Sequence, residues 1–415
     1  MKLQKKHLIL LVATLCFLAS SCHWSKTVEA DTSLLEHVKA AKGVYEMLEE
    51  KYPDSTTDDD TIAVDSTPPA HDLQKEQSQL WNQLAQYLVG MRIDSTNIYH
   101  GLTQFPKWVT YQQKMWTMWN NYRKNAAKAS IWTEQNITPL TTDCKQVLYA
   151  FSGPDWPYVH TFFPNADEYI LLAAEPIGSI PQPNAYMNEE EAARLANALY
   201  HSTLNIWGNS FFVTGRMEKD LRNNEVDGVL PVLMMFMGRE YRSIDNIEIG
   251  QLQPDGSIET ESSKTPNVMR MEVSKKGKRQ TITYIRCDLS NNGLKFDKPL
   301  CEFLENHLKP ETSAGYLKAA SYLPHYNNYS KIRNTILKKC RFILEDDSGI
   351  KYSDLRKAGF KCMFWGKYVK PIHTFKNCQQ EDLDSAFKAV DPERLNFIIG
   401  YGRRSYQIGA IKSND

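Results

Sequence analysis

The chain has 415 residues, with 49 Lys plus Arg against 49 Asp plus Glu, so its formal net charge is zero, and 42% of its residues are apolar. That length and apolar content suffice for one large core or two moderate ones, while the neutral balance argues against the concentrated basic surface of nucleic-acid binders. Beyond the first 21 residues no stretch reaches 18 uncharged apolar residues, so no membrane-spanning helix is expected there.

Lys2, Lys5, Lys6 and His7 make a basic start, Leu8 to Ala19 an apolar stretch of 12 residues, and Ser20 and Ser21 precede Cys22. Twelve residues are too few for a spanning helix, which takes about 20, so residues 1–21 read as a cleaved export signal. "LASSC", Leu18 to Cys22, resembles the lipobox of bacterial lipoproteins, although the branched residue sits four places before the Cys. The resemblance implies that Cys22 is acylated, becomes the mature N-terminus and anchors the chain to the membrane. The alternative is cleavage at Ser20 or Ser21 to leave a soluble periplasmic protein. Either way the mature chain lies outside the cytoplasm. "HWSKTVEAD" after Cys22 lacks a compact acidic run, and the expected location is the outer membrane with the domain facing the periplasm.

Residues 22–51 carry a capping-box start, Ser33 with Glu36, followed by Leu34, Leu35, Val38, Ala41, Val44 and Leu48 at helical spacing. Residues 52–71, "YPDSTTDDDTIAVDSTPPAH", hold five Asp and three Pro without Lys or Arg, and read as an extended tether. Within it "DST" at 54–56, "DTI" at 60–62 and "DST" at 65–67 are similar to the O-glycosylation sites of Bacteroidota, which would make Ser55, Thr61 and Ser66 acceptors. A further "DST" places Ser95 as a weaker acceptor. An Asp/Ser/Thr-rich linker also produces such triplets without modification.

Residues 72–415 read as one globular domain, with a possible lobe boundary at "SNNG", 290–293. Helices are predicted over Leu73–Met91 and Pro106–Lys128, the second with Trp108, Tyr111, Met115, Trp116, Trp119 and Tyr122 on one face. Strand-length runs follow at "QVLYAF" and "EYILLAA", joined by "SGPDWPYVHTFFPNAD". Asn188 with Glu191 caps a long helix to about Trp207, and Asp227 is expected to cap "GVLPVLMMFMG". Strands at Ile247–Leu252, Val268–Ser274 and Gln280–Cys287, the last two joined as a hairpin by "KKGK", precede helices at Pro299–Leu308 and Tyr329–Leu344. Paired strands that do not alternate one to one with helices argue an α+β fold with mainly antiparallel strands rather than a doubly wound sheet.

Setting aside Cys16 and Cys22, six cysteines remain: Cys144, Cys287, Cys301, Cys340, Cys362 and Cys378. In an oxidising compartment they permit three disulfides whose pairing is open, and buried free thiols are the equal alternative. No CxxC, GxSxG, Walker, HExxH or GxGxxG motif occurs, and "GYG" at 400–402 is a lone GxG. No metal or cofactor is expected.

"YAFSGPDWPYVHTFFPNADEYILLAAEPIGSIP", 149–181, with "LKAASYLPHYNNYSKIRNTILKKCRFILEDDSGI", 317–350, and the later "FWGKYVKPI" and "IGYG", resembles a family of exported bacterial proteins with no assigned activity. The resemblance spans most of 73–412 and implies one folded unit; it carries over no catalytic residue.

Two stretches hold candidate chemistry. In "SGPDW" the Gly-Pro turn leaves Asp155 at a strand end, with His160 and Glu175 near enough in sequence to converge on it. In "EDDSGI" Glu345, Asp346 and Asp347 follow a predicted helix, whose negative end would raise a carboxyl's pKa and suit a general acid or a calcium ligand. In both, Asx turns and backbone capping explain the same residues without chemistry. The expected role is a membrane-anchored module that binds an envelope component, partner or glycan. The alternative is a hydrolase of envelope glycan or peptide using these carboxylates, with His160 or His373 beside them.

Overall fold

The computed structural model describes residues 70–183, 187–209, 226–262, 264–401 and 405–412. The chain divides into two units, Met1–Val64 and Asp65–Asp415. The expectations for the leader, Cys22, the helix at 22–51 and the acceptors Ser55, Thr61 and Ser66 lie outside the described residues, all of which belong to the second unit.

The strands are β1 (Gln146–Ala150), β2 (Glu168–Ala173), β3 (Ser243–Leu252), β4 (Ile258–Glu259), β5 (Val268–Lys275), β6 (Lys278–Arg286), β7 (Ser313–Leu317), β8 (Phe342–Glu345), β9 (Phe360–Gly366) and β10 (Tyr406–Lys412). The main helices are α1 (Ala70–Leu88), α2 (Pro106–Asn136), α3 (Trp156–Phe162), α4 (Glu189–Asn209), α5 (Leu230–Arg239), α6 (Lys298–His307), α7 (Ser330–Lys339), α8 (Tyr352–Lys357) and α9 (Glu381–Val390). The fold is α+β. The strands form one mixed sheet in the order β4-β3-β5-β6-β2-β1-β7-β8-β10-β9. Five pairings are antiparallel, β4/β3, β3/β5, β5/β6, β8/β10 and β10/β9. Four are parallel and occupy the centre, β6/β2, β2/β1, β1/β7 and β7/β8. Residues 290–293 lie between β6 and β7, so strands from both sides of them share this sheet.

Side-chain alternation along the central strands builds two cores. Val147, Tyr149, Tyr169, Leu171 and Tyr316 face a layer containing α1 to α5. Leu148, Ala150, Ile170, Leu172 and Leu317 face α6, α7 and α8 through Leu300, Phe303, Ile332, Ile336 and Leu355. Strands covered on both faces are apolar throughout, which removes the period-2 pattern that exposes a half-buried strand.

Local chemistry explains most boundaries. α2 begins at Pro106, where the missing N–H costs nothing, and buries Trp108, Tyr111, Met115, Trp119 and Tyr122; Trp116 is 52% exposed and leaves the predicted stripe. The capping box of α4 forms as expected: Asn188 Oδ1 accepts the Glu190 and Glu191 N–H groups, and Glu191 accepts the Asn188 N–H. The β5–β6 hairpin turns at Lys276 (φ +51°) and Gly277 (φ +81°), the two positive φ values of a two-residue turn.

Three boundaries differ from expectation. Asp227 does not cap α5: its carboxylate accepts from Ser179 Oγ at 3.3 Å, and the helix begins at Leu230, buried along its whole length. The helix predicted to Leu344 ends at Lys339, and Phe342–Glu345 is the parallel strand β8. An apolar run of four residues does not distinguish a buried strand from a helix end. The connection between β1 and β2 contains α3, because two parallel strands require a crossover rather than a tight turn.

Cys144, Cys287 and Cys340 are buried and Cys301, Cys362 and Cys378 half-buried, all as free thiols rather than a disulfide framework. Burial pushes the Cys144 thiol up to about 11, which keeps it in the unreactive protonated form.

Candidate functional site at the carboxyl edge of the sheet

From β1 the chain builds outward through β2 and β6, then returns past β1 to add β7 and β8 on its other side. Strand order therefore reverses between β1 and β7, and in open sheets with parallel strands the crevice outside the carboxyl ends at such a point is where ligands bind. The loops that leave these strands hold Phe151 (φ +61°), Ala319 (φ +51°), Ser321 (φ +54°) and Tyr322 (φ +57°), all left-handed without being glycine. Each costs on the order of 1–3 kcal/mol and persists only where surroundings enforce it.

Ala319, Ser321 and Tyr322 are held by a buried polar centre. Asp155, at the start of α3, and Lys318, the residue after β7, form an ion pair with both side chains 2% exposed. Tyr149 Oη donates to Asp155 Oδ2 at 2.8 Å, and the Lys318 ammonium lies 4.0 Å from the Tyr158 ring centroid. Burial pushes the Asp155 carboxyl up, against the pull of Lys318, Tyr149 and the Tyr158 backbone. Burial also pushes Lys318 down, opposed by Asp155 and Asp346.

Asp346 joins the loops after β7 and β8. Its Oδ2 accepts the Ala319 N–H at 3.0 Å, and its Oδ1 accepts both the Ser348 N–H, at 2.9 Å, and the Ser348 hydroxyl. Ser348 Oγ in turn accepts the Ala320 N–H at 2.8 Å. Gly400 (φ +67°) closes over this carboxylate, and a Cβ there would stand 2.6 Å from Oδ2. Tyr401 Oη donates to the Ala319 carbonyl and meets Ser321 Oγ, both at 2.8 Å. Asp347 turns elsewhere, accepting Tyr322 Oη at 2.7 Å and Tyr406 Oη at 2.5 Å.

Glu345 is fully buried and accepts the Ile350 N–H at 2.8 Å through Oε2, while Oε1 has no hydrogen-bond partner among the described residues. Burial pushes its carboxyl well above the usual range. The expected helix dipole is absent from this acidic run: β8, a strand, precedes it, and desolvation does the raising. Among the described residues no group of three or more His, Cys, Asp or Glu is placed to hold a metal.

The predicted convergence on Asp155 is corrected in part. His160 does not reach it. α3 runs from the carboxyl edge back towards the amino edge, and His160 at its far end contacts Tyr169 Oη at 2.8 Å and Arg242 at 2.6 Å, stacked on Trp156. Arg242 donates to Nε2, so Nδ1 carries the proton and donates to Tyr169 Oη, which donates to the Phe163 carbonyl. Burial and then Arg242 push the His160 pKa well below its usual value. Glu175 is buried past the end of β2, one strand over on the same edge, where its carbonyl accepts Tyr284 Oη at 2.9 Å. His373 lies on an exposed turn of 3-10 helix.

Lys318, Tyr149, Tyr322 and Tyr406 complete this centre although no motif marks them in the sequence. The one local signal is "SAGYLK", a cation directly after an apolar run of strand length. No protein-family model matches this chain, and no curated protein matches it either.

Proposed function

We propose that this protein is an exported, membrane-tethered module that binds a component of the cell envelope without turning it over. One observation carries the reading: each carboxylate of the switch-point loops is already tied to a neighbouring element, Asp155 through Oδ2 to Lys318 and Tyr149, with Oδ1 buried and unpartnered among the described residues, Asp346 to two backbone N–H groups and the Ser348 hydroxyl, and Asp347 to two tyrosines. Glycan hydrolysis needs a carboxyl pair about 5 to 10 Å apart flanking the scissile bond, with a proton to exchange, and these three are committed to holding loops together. Around the centre, the half-exposed rings of Phe151, Tyr329 and Phe375 offer apolar area to a ligand, Phe375 lying 5.3 Å from Tyr401. The resemblance to exported proteins, the leader and the lipobox-like Cys22 support the location.

Two measurements test this. Intact-mass spectrometry on protein from its own membranes yields acylated Cys22 if the tether is real, and an unmodified N-terminus overturns it. Co-sedimentation with purified envelope fractions yields saturable binding, and protein left wholly in the supernatant overturns the binding role.

A second reading, a carboxylate-dependent hydrolase, has its own observation: Asp155 is pushed up and Lys318 down at the switch point, as catalytic groups often are. It requires envelope fragments to be released by the wild type and not by Asp155→Asn.

A further inference from the structure

Helix α1 presents Gln79, Asn82, Gln83 and Gln86 at offsets 0, 3, 4 and 7, which places four carboxamides on one face. That face lines two cavities of about 380 and 510 Å³, which share Gln79, Asn82 and Gln86 and so adjoin as one trough. Each falls in the size range of small-ligand sites. One wall is the loop from Arg92 to Asn97, and the other is the corner between α5 and β3.

The lining is built rather than incidental. Asn82 is fixed by the Ile244 backbone on both sides of its amide, accepting at 2.8 Å and donating at 3.1 Å. Gln79 and Gln86 line both cavities, and their side-chain amides hydrogen-bond to no described residue. At the corner Tyr241 is 71% exposed and held at φ +55°, a conformation bulky residues rarely adopt. Beneath it Arg242, 8% exposed, gives two guanidinium nitrogens to the neutral partners Gln280 and His160, and its Nε–H has no partner among the described residues.

We infer that this trough binds an oligosaccharide. A planar amide presents N–H and C=O side by side, which matches two neighbouring sugar hydroxyls, and an exposed tyrosine ring stacks on the C–H face of a pyranose. β3 is antiparallel to β5 and β5 to β6, so β3 starts, at Ser243, on the amino edge of the central strands. The trough is therefore on the opposite edge from the switch point and stands independently of the function proposed there.

The test uses the full mature chain in a detergent without a sugar head group. Saturation-transfer NMR with maltotriose and with triacetylchitotriose shows transfer to at least one of them. Tyr241→Asn, which suits the left-handed backbone, and Gln86→Ala each weaken that binding by about tenfold while thermal unfolding stays unchanged. The inference is overturned if neither sugar receives saturation at millimolar concentration, or if binding survives either substitution undiminished.

Discussion

Lys318 and Asp155 form a buried ion pair that ties the loop after β7 to the loop after β1, across the two strands between which the sheet reverses its order. Removing one partner leaves the other charge uncompensated in a dry site. Lys318→Met is expected to destabilise the fold by about 3–5 kcal/mol, and Asp155→Leu combined with Lys318→Met to recover most of that loss. Urea unfolding of the single and double variants checks this; additive losses would contradict the pairing.

Burial raises the Glu345 pKa, so the folded protein holds this proton to higher pH than the unfolded chain, which releases it above about 4.5. Folding thus takes up a proton, and the stability contribution falls as pH rises from the unfolded value. Glu345→Gln is therefore expected to match wild type near pH 4.5 and to be more stable at pH 8, as read from urea midpoints at the two values.

His325 behaves in the opposite sense. It is 8% exposed, and burial pushes its pKa down to about 4. Between pH 6.5 and 4 the unfolded chain binds a proton that the folded protein does not, so stability falls as pH drops through that window, by about 3 kcal/mol in total. In His325→Asn the same pH series should be flatter by that amount. His160, lowered in the same direction, adds to the acid sensitivity.

Gly400 sits at φ +67° against Asp346 Oδ2. Gly400→Ala combines left-handed strain with a contact the carboxylate must yield to, and is expected to cost about 1–3 kcal/mol. Calorimetry reads the lowered Tm. An unchanged Tm would mean that the 397–401 segment does not close over the polar centre.

Two helices with a 3.6-residue apolar period, α2 with Pro106 at its start and α4 with its capping box, are legible from residue pattern alone, as is the β5–β6 hairpin from "KKGK". The parallel centre is not. Covered on both faces, β7 and β8 carry no alternation, and β8 merged with the helix before it. Of the site, Asp155, Asp346 and Asp347 were visible as acids at turns. Lys318 was not, since nothing local distinguishes a lysine that meets its partner only when β7 inserts next to β1. His160 misled because five positions along α3 are enough to carry a side chain about 7 Å towards the other sheet edge.

Binding without turnover is tested by incubating the mature protein with purified envelope glycan and peptide, measuring the bound protein fraction and, by mass spectrometry, the soluble fragments released. Protein retained on the envelope material, with no fragments above those of a blank, is the expected result. Fragments released by wild type and abolished by Asp155→Asn would contradict it and make the polar centre an active site.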